Sequence, residues 1–304
     1  AATINVTGGH SSDTTALGTL NKATTTVAAG TNKGIVTFTS ATGVAMNATA
    51  VASVINNITL STKADTVSLS GLLGATTQII NGGGGTGVDT LNTSVTATDT
   101  DFATVTGFEI INLTVPAALA TGFDNNGEDT GLNQAALINI LGGNSNSSFT
   151  VSTAEFDNGR SSAATALTVD ASTFGGNIDL QFASDALDIF TTVKGGALTT
   201  DIVDTIIAAG ASATVGNNPT MSGVETLTVT STDGDTDAVI NLGKATGLTR
   251  VNATFDTAGA ADQIEIDSLA AGVPVYVTGT NAGDNLDVGV AGSTGASDAL
   301  TIVG

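Results

Sequence analysis

Cysteine and tryptophan are both absent from the 304 residues, and tyrosine occurs once. Without cysteine the chain has neither disulfides nor thiolate metal sites. Aromatic residues make up 4% against a hydrophobic fraction of 41%. A core must therefore be assembled from Val, Ile, Leu and Ala in thin regular layers rather than around large rings. Cationic charge is scarce too: 7 Lys and Arg face 28 Asp and Glu, for a net charge of -21. Such a surface repels nucleic acid and anionic lipid, and it attracts divalent cations that offset clustered carboxylates. No apolar run reaches the roughly eighteen residues of a membrane-spanning helix. The opening "AATINVTGGH" has neither the charged nor the apolar region of a signal peptide. These absences predict a soluble chain with no nucleic-acid partner and no transmembrane segment, any export signal being removed, outside the sequence or of another kind.

Catalytic groups are equally sparse. His10 is the single histidine, set among Gly and Ser near one end, and Arg160 and Arg250 are the only arginines. No nucleophile elbow, phosphate-binding loop or zinc-ligand spacing occurs. The expectation is a protein that is not an enzyme.

What is abundant is threonine, at 54 residues, and glycine, at 38. Apolar residues alternate with polar ones in "KGIVTFTS" (33–40), "DTVSLS" (65–70), "EIINLTV" (109–115), "ALTVDAS" (166–172), "ETLTVTS" (225–231), "QIEIDS" (263–268) and "VPVYVTG" (273–279). Alternation is what a half-buried strand requires, so these are predicted as short strands. One segment departs from it: Val51, Val54, Ile55 and Ile58 fall on one helical face and predict a short helix within Ala48–Ile58. A second short helix is predicted over residues 131–141.

Two weak repeats run through the strands. "GFEIINLT" at Gly107, "GVETLTVT" at Gly223 and "GLTRVNAT" at Gly247 share one form. A motif of Asp followed by alternating apolar residues recurs at Asp65, Asp185, Asp262, Asp284 and Asp298. Turns that return every twenty-odd residues with Gly, Asp and Asn at the corners predict an all-β, parallel β-helix or β-solenoid with at most two short helices. A tandem pair of β-sandwich domains is the alternative. The provisional division is a β-rich domain over 1–116 and a solenoid-like domain over 117–304, unless the two are continuous.

Four acidic turns are candidate calcium sites. In "NGGGGTGVDTLN" the residues Gly84, Gly85, Gly87 and Asp89 fit the nonapeptide G-G-x-G-x-D-x-U-x, in which glycines permit a tight turn and the carboxylate offers a hard oxygen. "STDGDTDAVINLGK" sets Asp233, Asp235 and Asp237 at alternate positions, as at the start of an EF-hand loop. Ala238 then stands where that loop needs glycine and Lys244 where it needs glutamate, which leaves a calcium turn of another kind. "FDNNGEDTG" (Asp124, Glu128, Asp129) and "NAGDNLDVG" (Asp284, Asp287) are further candidates. A bare glycine turn or a solvated acidic loop is the alternative at each.

The Thr/Gly/Ala-rich, cysteine-free, lysine-poor composition, the G-x-E phrases and the G-A-x-D-x-L/I repeats are similar to the extracellular portion of bacterial surface-layer proteins of the RTX type. That resemblance implies export by type I secretion, binding of many calcium ions, and crystallisation on the cell exterior as a porous lattice. It also implies that Asp89 and its glycines are calcium ligands; the tandem run of the family is here a single copy. The expected function is a self-assembling, calcium-dependent structural protein of a surface layer or filament, located at the cell surface. Its partners would be copies of itself and a cell-surface polysaccharide. Two other classes remain open: an adhesin or binding module, including an ice-binding threonine solenoid, and a calcium-dependent polysaccharide-degrading enzyme. Long T-x-T ladders would mark the ice binder, and a cleft with convergent basic and aromatic groups the enzyme.

Overall fold

The computed structural model describes residues 2–7, 14–21, 24–29, 35–39, 47–50, 57–60, 62–69, 79–83, 87–94, 105–117, 120–123, 135–156, 166–182, 187–207, 218–231, 238–255, 261–279, 283–292 and 300–304. Every regular element among them is a β-strand. Neighbouring strands pair in parallel and stack as a β-solenoid. Two compact units divide the chain, Ala1–Ser147 and Ser148–Gly304.

In the first unit one ladder joins Ala2–Asn5, Thr24–Ala28, Asn47–Ala50, Thr66–Leu69, Thr90–Ser94, Ile110–Val115 and Leu137–Gly142, in that order. The intervening strands Thr14–Thr19, Ile35–Thr39, Asn57–Thr59, Ile79–Asn81 and Val105–Thr106 form a second parallel ladder. Each coil thus contributes one strand to each ladder. Coil length varies at the corners, so residues stacked in one column lie 24, 20 and 27 positions apart.

The second unit repeats the plan. Ser148–Phe156, Asn177–Phe182, Ile202–Ile207, Thr226–Ser231, Arg250–Phe255, Val275–Thr278 and Ile302–Val303 build its longest ladder. Opposite strands form two shorter ladders: Leu167–Asp170, Thr191–Lys194, Thr220–Ser222 and Ala245–Thr246, then Ala238–Asn241, Gln263–Leu269 and Asn285–Val290.

The alternation in sequence becomes alternation across each sheet. In Ile110–Val115 the residues Ile111, Leu113 and Val115 point inward and are buried, while Asn112 lies on the outer face. Leu91, stacked between Val67 and Ile111, is fully buried. Each such side chain contributes about 1.5–3 kcal/mol on removal from water. Small β-branched side chains suit this repetition because identical positions meet their own kind in the coil above. The outer face is bound by polar ladders. Asn92 Nδ2 donates to Ser68 Oγ at 3.2 Å, Asn112 Nδ2 to Asn92 Oδ1 at 2.6 Å, and Asn139 Nδ2 to Asn112 Oδ1 at 2.6 Å.

The predicted helix over 131–141 is corrected, and the one within Ala48–Ile58 is corrected at its ends. The ends of the segment 48–58 are strands, Asn47–Ala50 and Asn57–Thr59, in different ladders, and residues 51–56 lie outside the described residues. Ile58 is buried as the inward residue of its strand. In the segment 131–141, Leu137–Gly142 is a strand with Ile138 and Ile140 inward and buried. Short apolar runs satisfy both periodicities, and the parallel neighbours supply backbone partners that decide for strand.

Candidate functional site

Among the described residues the two sequence repeats occupy one structural slot, the residue immediately before a ladder strand; Asp185 and Asp298 lie outside the described residues. In the first unit Asp65, Asp89 and Glu109 precede the strands Thr66–Leu69, Thr90–Ser94 and Ile110–Val115. The Asp89 and Glu109 carboxylates reach back to the corner of the preceding coil: Asp65 N–H donates to Asp89 Oδ1 at 2.8 Å, and Asp89 N–H to Glu109 Oε2 at 2.7 Å. Main-chain bonds run the other way, Thr90 N–H to Asp65 O at 2.9 Å and Ile110 N–H to Asp89 O at 3.1 Å. Corner amides that would otherwise lack acceptors are satisfied by the acids, and the acids are held by the amides.

The second unit carries the same device. Asp201 Oδ1 accepts Ile178 N–H at 3.0 Å, its Oδ2 accepts Gly196 N–H at 2.5 Å, and its own N–H donates to Glu225 Oε2 at 3.0 Å. Asp262 N–H donates to Asp284 Oδ1 at 3.1 Å. Thr249 takes the slot after Glu225 and bonds to the Glu225 carbonyl through both N–H and Oγ1. The glycine that opens each phrase has a left-handed backbone, with φ of 72° at Gly107, 65° at Gly223 and 97° at Gly247. A side chain would be strained there.

These acids are deeply placed: Asp65, Asp89 and Asp201 are 0% exposed and Asp262 2%. Burial pushes the Asp89 carboxyl up to about 6, helped by the charges of Glu109 and Asp65 and opposed by the Asp65 N–H. Burial likewise raises Asp201 against the bonds from Ile178 and Gly196, and raises Glu225, where the Asp201 charge adds to it. On the outer face of the same unit burial raises Asp179, with the Asp204 charge adding, and raises Asp204 against a bond from Thr228. Asp170 goes the other way: burial lifts it, but Lys194, 2.7 Å away, and Ser172 together hold it below the usual carboxylate range.

A raised folded-state pKa means that the folded chain holds these protons more tightly than the unfolded chain. Their contribution to stability therefore grows as pH falls through the folded values toward the unfolded ones. For Asp89 that window runs from about 6 down to 3.8. The melting temperature in chelator is expected to be higher at pH 5 than at pH 7, by differential scanning calorimetry. A lower value at pH 5 would show that the buried acids are not destabilised as anions. Asp170, being lowered, gives up its contribution only below its ordinary value.

Of the predicted calcium ligands, Gly87, Asp89, Asp284 and Asp287 are among the described residues. Gly84, Gly85, Asp124, Glu128, Asp129, Asp233, Asp235 and Asp237 lie outside them. Gly87 is a close-packing glycine, since a Cβ there would run into the backbone of Lys63 and Ala64. Asp89 has one oxygen on the Asp65 amide, while its Oδ2 is buried without a hydrogen-bond partner. Asp284 is a corner acid bonded to Asp262, and Asp287 is exposed on the strand that follows. Among the described residues no three His, Cys, Asp or Glu side chains converge as a metal cluster. The described donor set at Asp89 is thus one free carboxylate oxygen.

Asp201 escaped sequence reading. Its strand runs "DIVDTII", and the inward position that should be apolar is Thr205, which is buried. The usable signal was its distance of 24 residues from Glu225. No protein-family model, curated protein or solved structure matches the chain.

Proposed function

We propose that this chain is an extracellular structural protein that assembles with copies of itself into a calcium-dependent surface layer or filament. The observation that carries the reading is the use made of the acids. The carboxylates of Asp89, Glu109, Asp201, Glu225 and Asp284 accept backbone N–H groups at coil corners. Carboxylates so engaged serve rigidity rather than proton transfer, and cross-braced stacked coils suit a load-bearing lattice.

Calcium enters through the turns. Asp89, in the glycine-rich stretch, retains one buried oxygen without a partner, and the segment bearing Asp233, Asp235 and Asp237 sets three like charges within five residues. Like charges so close repel unless an ion or donors offset them. A body at -21 also has little electrostatic reason to meet a copy of itself, so divalent ions bridging carboxylates between subunits are the expected cement.

Two measurements test the reading. Light scattering in millimolar calcium should report large species that chelator returns to folded monomer, with monovalent salt of equal ionic strength failing to replace calcium. Asp235→Ala should weaken calcium binding by titration calorimetry and lower the melting temperature in calcium while changing little in chelator. A chain that stays monomeric at high concentration in calcium rejects the assembly. Equal melting temperatures for mutant and parent in calcium reject the turn as a site.

A further inference from the structure

One face of the second unit departs from the charge pattern of the chain. The outer sides of Thr226–Ser231, Arg250–Phe255 and Val275–Thr278 carry no carboxylate, in a chain with 28. They present Thr228, Arg250, Asn252, Thr254, Tyr276 and Thr278 across three consecutive coils, with Thr228, Asn252 and Tyr276 in one register column that is bordered on the preceding coil by Asp204, whose carboxylate takes the Thr228 hydroxyl. Arg250 is exposed and already oriented. Its Nε donates to Asn252 Oδ1, and its guanidinium carbon lies 3.8 Å from the centroid of the Tyr276 ring. Asn252 Nδ2 in turn donates to Thr228 Oγ1 at 3.2 Å, and the Thr254 and Thr278 hydroxyls are 3.2 Å apart.

Among the described residues no carboxylate pairs with this guanidinium. Stacking on Tyr276 and the bond to Asn252 fix its plane and use only Nε, which leaves the two terminal nitrogens of an exposed, preorganised fork for a ligand. Such a fork fits a planar carboxylate bidentately. The hydroxyls and amide around it are neutral groups that exchange hydrogen bonds with a polyol, spaced across strands about 4.8 Å apart.

We propose that this face binds a uronate-type saccharide, with a sugar carboxylate on the Arg250 terminal nitrogens and sugar hydroxyls on Asn252, Thr254 and Thr278. Charge favours this occupant over a second copy of the chain. A copy brings a body at -21 against one cation, whereas a single uronate unit brings one charge together with the hydroxyls that the face can satisfy. Tyr276 acts as a positioning residue, holding the guanidinium through its ring.

The experiment is titration calorimetry of the full chain with trigalacturonate, with maltotriose and acetate as the neutral and anion-only probes, and circular dichroism to check each variant. Saturable binding of trigalacturonate is expected, reduced about tenfold or more by Arg250→Ala. Arg250→Lys keeps the charge but not the fork and should fall between. Tyr276→Ala should weaken binding through the loosened guanidinium, and Lys194→Ala, which lies on a different ladder, should leave it unchanged. The proposal is overturned by absent saturation, by equal affinity in Arg250→Ala and Arg250→Lys and the parent, or by maltotriose or acetate binding as well as trigalacturonate. An Arg250-dependent rise in particle mass without sugar would also overturn it, by giving the face to a second copy.

Discussion

Replacing Asp201 with Ala is expected to destabilise the second unit by about 3 kcal/mol, because it strands the buried Ile178 N–H and the Gly196 N–H together. Each amide left without an acceptor costs about 1–3 kcal/mol, and the relief of an unfavourably buried carboxylate offsets part of the sum. Asp201→Asn separates charge from bonding. It keeps one acceptor oxygen and turns an NH2 group toward the other amide, so a loss about half as large is expected. Urea denaturation with a constant m-value is the measurement. If Asn and Ala are equally mild, within about 0.5 kcal/mol of the parent, Asp201 is a solvated corner and not a clamp across coils.

Gly195→Ala is expected to be at least as damaging, at about 3 kcal/mol or more. A Cβ there would overlap the Gly223 carbonyl of the adjacent coil and stand 2.7 Å from Asp201 Oδ2. Backbone cannot withdraw cheaply, since Gly195 N–H is bonded to Ser222 O at 2.8 Å and Gly223 is held in a left-handed turn. The effect is steric rather than conformational, so it should exceed that of Gly243→Ala, whose nearest obstacle is the side-chain end of Asn241 at 3.1 Å. Comparable melting temperatures for the two variants would mean that neighbouring corners are looser than their contact distances imply.

The solenoid was legible where alternation was clean. "EIINLTV", "ETLTVTS" and "QIEIDS" became Ile110–Val115, Thr226–Ser231 and Gln263–Leu269, and the 24-residue spacing of Asp65 and Asp89 is the spacing of one coil. That the Asp motif and the Gly-x-Glu phrase fill one slot was not legible. Aspartate and glutamate differ by a methylene, and only the stacked corners reveal that both reach the equivalent amide of the preceding coil. Of the helically spaced Val51, Val54, Ile55 and Ile58, only Ile58 is among the described residues, and it is inward in a strand, a fact set by the neighbouring coil. The Arg250–Tyr276 contact joins residues from successive coils and leaves no local pattern.

Negative-stain electron microscopy of the purified chain tests the assembly most directly, in millimolar calcium, in chelator, and in monovalent salt matched for ionic strength. Ordered sheets or filaments in calcium alone, dissolving on chelation and reforming when calcium is restored, are the predicted result. Separate particles of unchanged size under all three conditions would contradict it.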